Sequence, residues 1–206
     1  MNKSIFKTVL LFALVIILSS CSAIMSSMYG VKRIKRFDQQ NYDNFIAKAK
    51  EYTDFVAIVS THDQYRQLIN LGQDSVEKKD FGQPVQMLYF DNGILASYHI
   101  NCYAKGGVSN INWNTDNRFS SFIPQTAVKH SIGDKKLSDY TKIYPELASS
   151  SDKPYTILIF WTNMLPKISL SAIKTVADND KHLSTKSISQ SHHIFRFVAA
   201  NQRSVI

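Results

Sequence analysis

The sequence predicts an α/β protein with a mixed sheet of about five strands flanked by helices, and three stretches carry that prediction. Tyr155-Thr-Ile-Leu-Ile-Phe-Trp161 is the longest apolar, β-prone run in the body of the chain, and Pro166 behind it suits the first turn of a helix. Phe55-Val-Ala-Ile-Val59 reads as a buried strand, followed by Thr61 and Gln64 in the spacing of a capping box, which makes a strand-helix unit. Val85–Phe90 and Ile94–Cys102 flank Asp91-Asn92-Gly93, a strong hairpin signal.

The 206 residues divide into three parts: a removable leader over 1–20, a tether over 21–38, and a single domain over 39–206 with a long loop at about 103–136. The leader has a short positive start at Lys3 and Lys7 and an apolar core from Thr8 to Leu18. It ends in Leu18-Ser19-Ser20-Cys21, small residues directly before a cysteine. A transmembrane anchor needs about 20 apolar residues, and this run is shorter. Ser22 to Gly30 is small and weakly polar. Lys32-Arg33-Ile34-Lys35-Arg36 then places four cations in five residues, suited either to an anionic membrane surface or to a solvated start of the domain. Without Lys3 and Lys7 the chain carries 24 − 2 = 22 basic against 16 acidic residues, or +6. That balance favours anionic surfaces in general and selects none of them.

In the body, Tyr42, Phe45, Ile46 and Ala49 lie on one face of a helix over about 43–52. The helix after Thr61 turns Tyr65, Leu68 and Ile69 inward and stops at Gly72. Along the second hairpin strand, alternation puts Ile94, Ala96, Tyr98, Ile100 and Cys102 on one face and Ser97, His99 and Asn101 on the other. Cys102 therefore reads as a buried thiol turned away from His99 rather than as a nucleophile, which would need a neighbouring base or cation. From Tyr103 the chain is Gly-, Asn- and Ser-rich with interspersed aromatics. His99, Asn101, Tyr103, Trp113, Asn114 and Arg118 are the candidate binding residues, with Trp113 as a platform for a sugar ring or a peptide. The same aromatics also suit a loop pinned to the core. Leu137, Tyr140, Ile143 and Tyr144 have helical spacing cut short by Pro145, and Ser149–Lys153 is a linker. Ile168, Ala172, Ile173 and Val176 are the buried stripe of the helix that Pro166 opens. His193–Val198 is a last strand, with a frayed tail from Ala199.

No phosphate-binding glycine loop, nucleophile elbow or metalloprotease motif is present. The carboxylates read as scattered, and His192-His193 on a strand face apart, so neither a metal nor a cofactor is expected.

Leu18-Ser19-Ser20-Cys21 resembles the lipobox of bacterial lipoproteins. The resemblance implies that Cys21 is diacylated, that residues 1–20 are removed, and that the new N-terminus is acylated. Ser22 in place of Asp then implies the outer membrane, facing the periplasm. Ile157-Leu-Ile-Phe-Trp161 followed by a Pro-started helix resembles the core of thioredoxin-like proteins, and Pro84–Gly93 is similar to their Pro-led hairpin, here placed before the Phe-Trp strand instead of after it. The implied arrangement is partial or rearranged. Residues 162–167, Thr-Asn-Met-Leu-Pro-Lys, hold no cysteine, so the redox activity of that family is not implied. The Asn-Cys-Tyr, Gly-Gly and Asn-Trp-Asn region, joined to a thioredoxin-like end, also resembles a family of envelope lipoproteins without an assigned activity. The sequence thus leads to a lipid-anchored envelope protein acting as a non-catalytic binding or assembly module. Its expected partners are the membrane through Cys21 and an envelope protein, with no nucleic acid. The alternatives are a glycan- or peptidoglycan-binding lipoprotein using the Trp113 loop, and a thiol enzyme using Cys102.

Overall fold

The computed structural model of the chain describes residues 37–106, 111–150, 153–184 and 194–200. The leader, Cys21, the tether with Lys32, Arg33, Lys35 and Arg36, and His192-His193 all lie outside the described residues.

Asp38 accepts from Asn41 N–H and caps α1 (Gln39–Lys50), whose inward face carries Phe45 and Ala49. Then follow β1 (Val56–Ser60), α2 (His62–Ile69), α3 (Ser75–Phe81), β2 (Gln86–Asp91) and β3 (Ile94–Ile100). After a segment with a single 3₁₀ turn come α4 (Leu137–Ile143), β4 (Tyr155–Trp161), α5 (Pro166–Ser184) and β5 (Ile194–Ala200). The capping box at Thr61 forms as the spacing predicts, with Thr61 Oγ1 accepting from Gln64 N–H and Gln64 Oε1 accepting from Thr61 N–H. At the hairpin, Asn92 and Gly93 both take positive φ, 46° and 77°, the requirement of the tight turn that matches strand twist.

The five strands form one mixed sheet in the order β1-β5-β4-β2-β3. β1, β5 and β4 run parallel, while β4-β2 and β2-β3 are antiparallel. Helices cover both faces. On one side Leu88, Phe90, Tyr98, Leu158 and Phe160 pack with Leu68, Phe81, Tyr140 and Tyr144 from α2, α3 and α4 and the residues just after it. On the other, Met87, Tyr89, Ile157, Ile159 and Trp161 pack with Phe45 of α1 and Ile168, Ala172, Ile173 and Val176 of α5. Phe45 stacks on Trp161 with ring centroids 3.9 Å apart. The Tyr155–Trp161 strand and its Pro166 helix are thus the central pair the sequence predicts.

Five expectations are corrected. Helix α3, absent from the sequence reading, lies where no apolar stripe exists: Val76 points out while Glu77 and Asp80 are buried. A register shift between Tyr89 and Phe90 pairs Phe90 with Leu95 and Tyr89 with Ser97, leaving Ala96 over. Such a bulge reverses which face the residues before it occupy, so Leu95 joins the core while Ile94 and Ala96 are exposed. β3 stops at Ile100, which puts Cys102 in the following turn, exposed rather than buried. Finally, β1 is an edge strand with Val56 and Val59 exposed, and β5 continues through Ala199 and Ala200.

The 103–136 stretch is only in part a loop. Its last third lies along the outer side of β3: Thr126 Oγ1 accepts from Tyr98 N–H, Ala127 N–H donates to Tyr98 O, and Leu95 N–H donates to Lys135 O. This strap covers one edge of the sheet.

Candidate functional site

The six residues chosen from the sequence do not converge. His99 projects into the α1/α5 side of the sheet and is 1 % exposed, its ring 4.5 Å from Phe119 and its Nε2 3.1 Å from Ser97 Oγ. Burial, with the Arg118 charge second, pushes its imidazole down to about 3, so it is neutral at physiological pH. Trp113, 4 % exposed, belongs to the same cluster and presents no free face on which a sugar could stack. Asn114 Oδ1 accepts from Phe119 N–H, and Arg118 reaches Asp116 at 3.5 Å. Asn101 is held between Val85 N–H and Gln83 Oε1. Tyr103 packs on the opposite face of the sheet, on the side that holds Asp80. The Trp113 loop is therefore the core-pinned loop that the sequence also allowed.

At the strand-helix corner after β4, Thr162 N–H donates to Ser169 Oγ, Ser169 Oγ–H donates to Thr162 O, and Met164 N–H donates to Thr162 Oγ1. Both side chains are buried. The corner closes on itself and offers no reactive group to solvent.

The arrangement that does concentrate charge is one the sequence reading missed. Asp74 caps α3 by accepting from Val76 N–H and Glu77 N–H at 2.8 and 2.9 Å, and the bond from Glu77 N–H holds its carboxyl below the usual range. One turn on, Glu77 and Asp80 stand three apart on the inward face, the helical neighbour spacing. The strap supplies their partners. Lys135 Nζ lies 3.2 Å from Glu77 Oε2 and 2.9 Å from Asp134 Oδ2, with its side chain 6 % exposed. His130 Nε2 lies 3.2 Å from Asp80 Oδ2, off the hydrogen-bonding direction, and its Nδ1 lies 3.9 Å from Glu77 Oε1. Gln73 N–H donates to Glu77 Oε2, and Gln73 Nε2 to Asp134 Oδ2.

Burial raises the Asp80 carboxyl, and the nearby His130 and Tyr103 only partly offset that. Burial presses Lys135 down, but its bonds to Asp134 and Glu77 more than reverse this and leave it raised. The expectation of scattered carboxylates is thus corrected: Glu77 and Asp80 form a close buried pair. The available signal was Asp74 three residues before Glu77, a cap pattern without an apolar stripe to confirm it.

Chemically the cluster is a fastening. Its carboxylates face a cation and an imidazole of the same chain, and together they tie the strap, and with it the covered edge of β3, to α3. Among the described residues, no group of three or more His, Cys, Asp or Glu is placed to hold a metal ion. Cys102 Sγ–H donates to Gln83 Oε1 at 2.9 Å, an amide acceptor that cannot take up its proton as a base. No helix among the described residues is long and apolar enough to cross a membrane.

These features define a mixed α/β protein with helices on both faces of its sheet, whose buried charges hold a strap over one sheet edge. The chain matches no family model, no curated protein and no solved structure.

Proposed function

We propose that the chain is a lipid-anchored protein of the cell envelope, acylated on Cys21, that acts as a non-catalytic binding or assembly module. The observation that carries this is Leu18-Ser19-Ser20-Cys21 directly behind the apolar run Thr8 to Leu18. The charge distribution agrees with it. Six of the 24 basic residues and none of the 16 acidic ones precede residue 37, so residues 37–206 carry 24 − 6 = 18 against 16, only +2. The excess is concentrated in Lys32, Arg33, Lys35 and Arg36 beside the anchor, where each cation contributes about 1 kcal/mol on an anionic leaflet. Ser22 after the acylated cysteine favours the outer membrane with the domain in the periplasm.

The non-catalytic reading rests on how the buried polar groups are used: Thr162 with Ser169, His99 with Ser97, and Glu77, Asp80, His130 and Lys135 with one another. The glycan reading draws no support from a Trp113 whose indole is inside. For the fold, we propose a rearranged thioredoxin-like arrangement. It is supported by three parallel strands beside an antiparallel pair, with the Phe160-Trp161 strand central and a Pro-started helix behind it.

Expression of the full chain in a bacterial host with an alkyne-tagged fatty acid tests the anchor. The native chain takes up label and sediments with the outer membrane, whereas Cys21→Ala does neither. An unlabelled native chain sinks the proposal.

A further inference from the structure

The strap over β3 is held by one permanent cation and by one group whose charge depends on a proton. Lys135 faces Glu77, and His130 faces Asp80, both carboxylates being buried on the inward side of α3. The oxygens that face the His130 ring are acceptors on both sides. Nδ1 lies 3.1 Å from Ser131 O and 3.9 Å from Glu77 Oε1, and Nε2 lies 3.2 Å from Asp80 Oδ2. A neutral imidazole has one N–H and one lone pair, so in either tautomer a lone pair meets an oxygen on one side. With one further proton, on His130 or on Asp80, both sides are attractive. Neither Asp80 Oδ2 nor His130 Nε2 has a directed hydrogen bond to any described residue, which leaves the two facing each other. The surroundings favour the bound proton. Asp74 at the α3 cap and Asp134 on the strap add two carboxylates, against which the cations are Lys135 and Lys79. Tyr98 of β3 stands edge-on to the imidazole with centroids 6.3 Å apart, and Tyr103 lies on the Asp80 side.

We propose that the strap is a pH-operated latch: one proton held between His130 and Asp80 fastens it to α3, and loss of that proton on the alkaline side loosens it from β3. Release bares the outer backbone groups of Leu95 and Tyr98, which bond to Lys135 O, Thr126 Oγ1 and Ala127 N–H while the strap is closed. The sign follows from linkage. The closed strap binds the proton more tightly than the open one, so falling pH favours closure. The change lies between about pH 5 and 8, where histidine alters its charge. Lys135, Tyr98 and Tyr103 are raised from 10.5, 10.0 and 10.0 and keep their charge state across that interval. His99, pushed down to about 3, stays neutral. The latch goes beyond the envelope reading and stands whether or not Cys21 carries lipid.

Amide exchange of the full chain, followed by NMR from about pH 5.5 to 8.5 and divided by the intrinsic rate at each pH, tests it. The Leu95 and Ala127 amides, which bond across the strap, report on the latch, and those of Met87 and Leu158 in the central strands are the reference. Protection at Leu95 and Ala127 falls about ten-fold relative to the reference as pH rises, the equivalent of one unit of differential proton affinity. His130→Lys, a cation throughout the interval, keeps the strap protected at the alkaline end, whereas His130→Gln and Asp80→Asn give flat profiles. A native profile that is flat or reversed overturns the latch, and so does a His130→Gln chain that keeps the native slope. The native profile decides by itself if a substituted chain does not fold.

Discussion

Removing the Lys135 ammonium is the most direct test of the buried cluster. Lys135→Met keeps the length and most of the methylene stem, so packing changes little while the charge disappears. Of its two partners, Asp134 is about half exposed, and such a pair contributes at most about 1 kcal/mol. Glu77 is 11 % exposed, and without Lys135 it retains only the Gln73 N–H at 3.0 Å and His130 at 3.9 Å, with buried Asp80 one turn away. Leaving one member of a buried pair uncompensated costs about 3–5 kcal/mol, a large share of a typical stability of about 5–15 kcal/mol. Urea unfolding followed by tryptophan fluorescence reads this directly, because Trp113 and Trp161 are both buried. Adding Glu77→Gln to Lys135→Met removes the stranded charge and keeps an acceptor for Gln73, so the double variant regains most of the loss, a coupling of about 1–3 kcal/mol. The pH dependence has a definite sign. The folded pKa of Lys135 is raised above 10.5, so its contribution is complete below that value and disappears as pH rises through the folded one. A single variant that loses less than about 1 kcal/mol, or a double variant whose loss is the sum of the two single losses, refutes the fastening.

Two further outcomes follow from the sheet and its turns. His99 is pushed down to about 3 from 6.5, so below pH 6.5 the unfolded chain takes up a proton that the native chain refuses. Stability from this residue is present above 6.5 and is lost as pH falls toward about 3, reaching about 2 kcal/mol by pH 5. The native chain therefore loses stability relative to His99→Gln between pH 7 and 5, and parallel curves over that interval exclude the assignment. Among the glycines, a Cβ at Gly72 would sit 2.5 Å from Lys78 N and 2.8 Å from Glu77 C, where α2 ends against the start of α3, so Gly72→Ala costs about 1–3 kcal/mol. At Gly93 nothing lies within 4 Å, and Gly93→Ala costs only the backbone penalty of φ +77°, about 1–2 kcal/mol. Melting curves in which Gly93→Ala is much the worse of the two contradict this reading of the α2–α3 contact.

The elements legible in the sequence are those whose signals are local and agree with one another. The apolar run at Tyr155–Trp161 with Pro166 behind it, the Thr61–Gln64 box and the Asn92-Gly93 turn each specify their own geometry within a few residues, and each forms at or within a residue or two of the expected place. The misses come from terms that depend on distant partners. Alternation along β3 presumes a continuous register, and one unpaired residue at Ala96 is enough to exchange Ile94 for Leu95 in the core. Whether β1 is central or an edge depends on β5, some 140 residues away, because parallel pairing leaves no mark on the strand itself. Helix α3 turns its acids inward and Val76 outward, the reverse of the pattern by which amphipathic helices are recognised.

The candidate site was illegible for a related reason. A charged residue reads as solvated surface unless its sequence neighbours pair with it, and Glu77 and Asp80 find theirs about 50 residues away on the strap. Proximity in sequence misled in the opposite sense for His99 to Tyr103. Four residues apart, they end on opposite faces of the sheet, because the chain leaves β3 after Ile100 and turns toward α3 instead of continuing the alternation. The residues chosen as a binding set are thus divided by the sheet they were meant to decorate, and the polar residues passed over are the ones the fold gathers together.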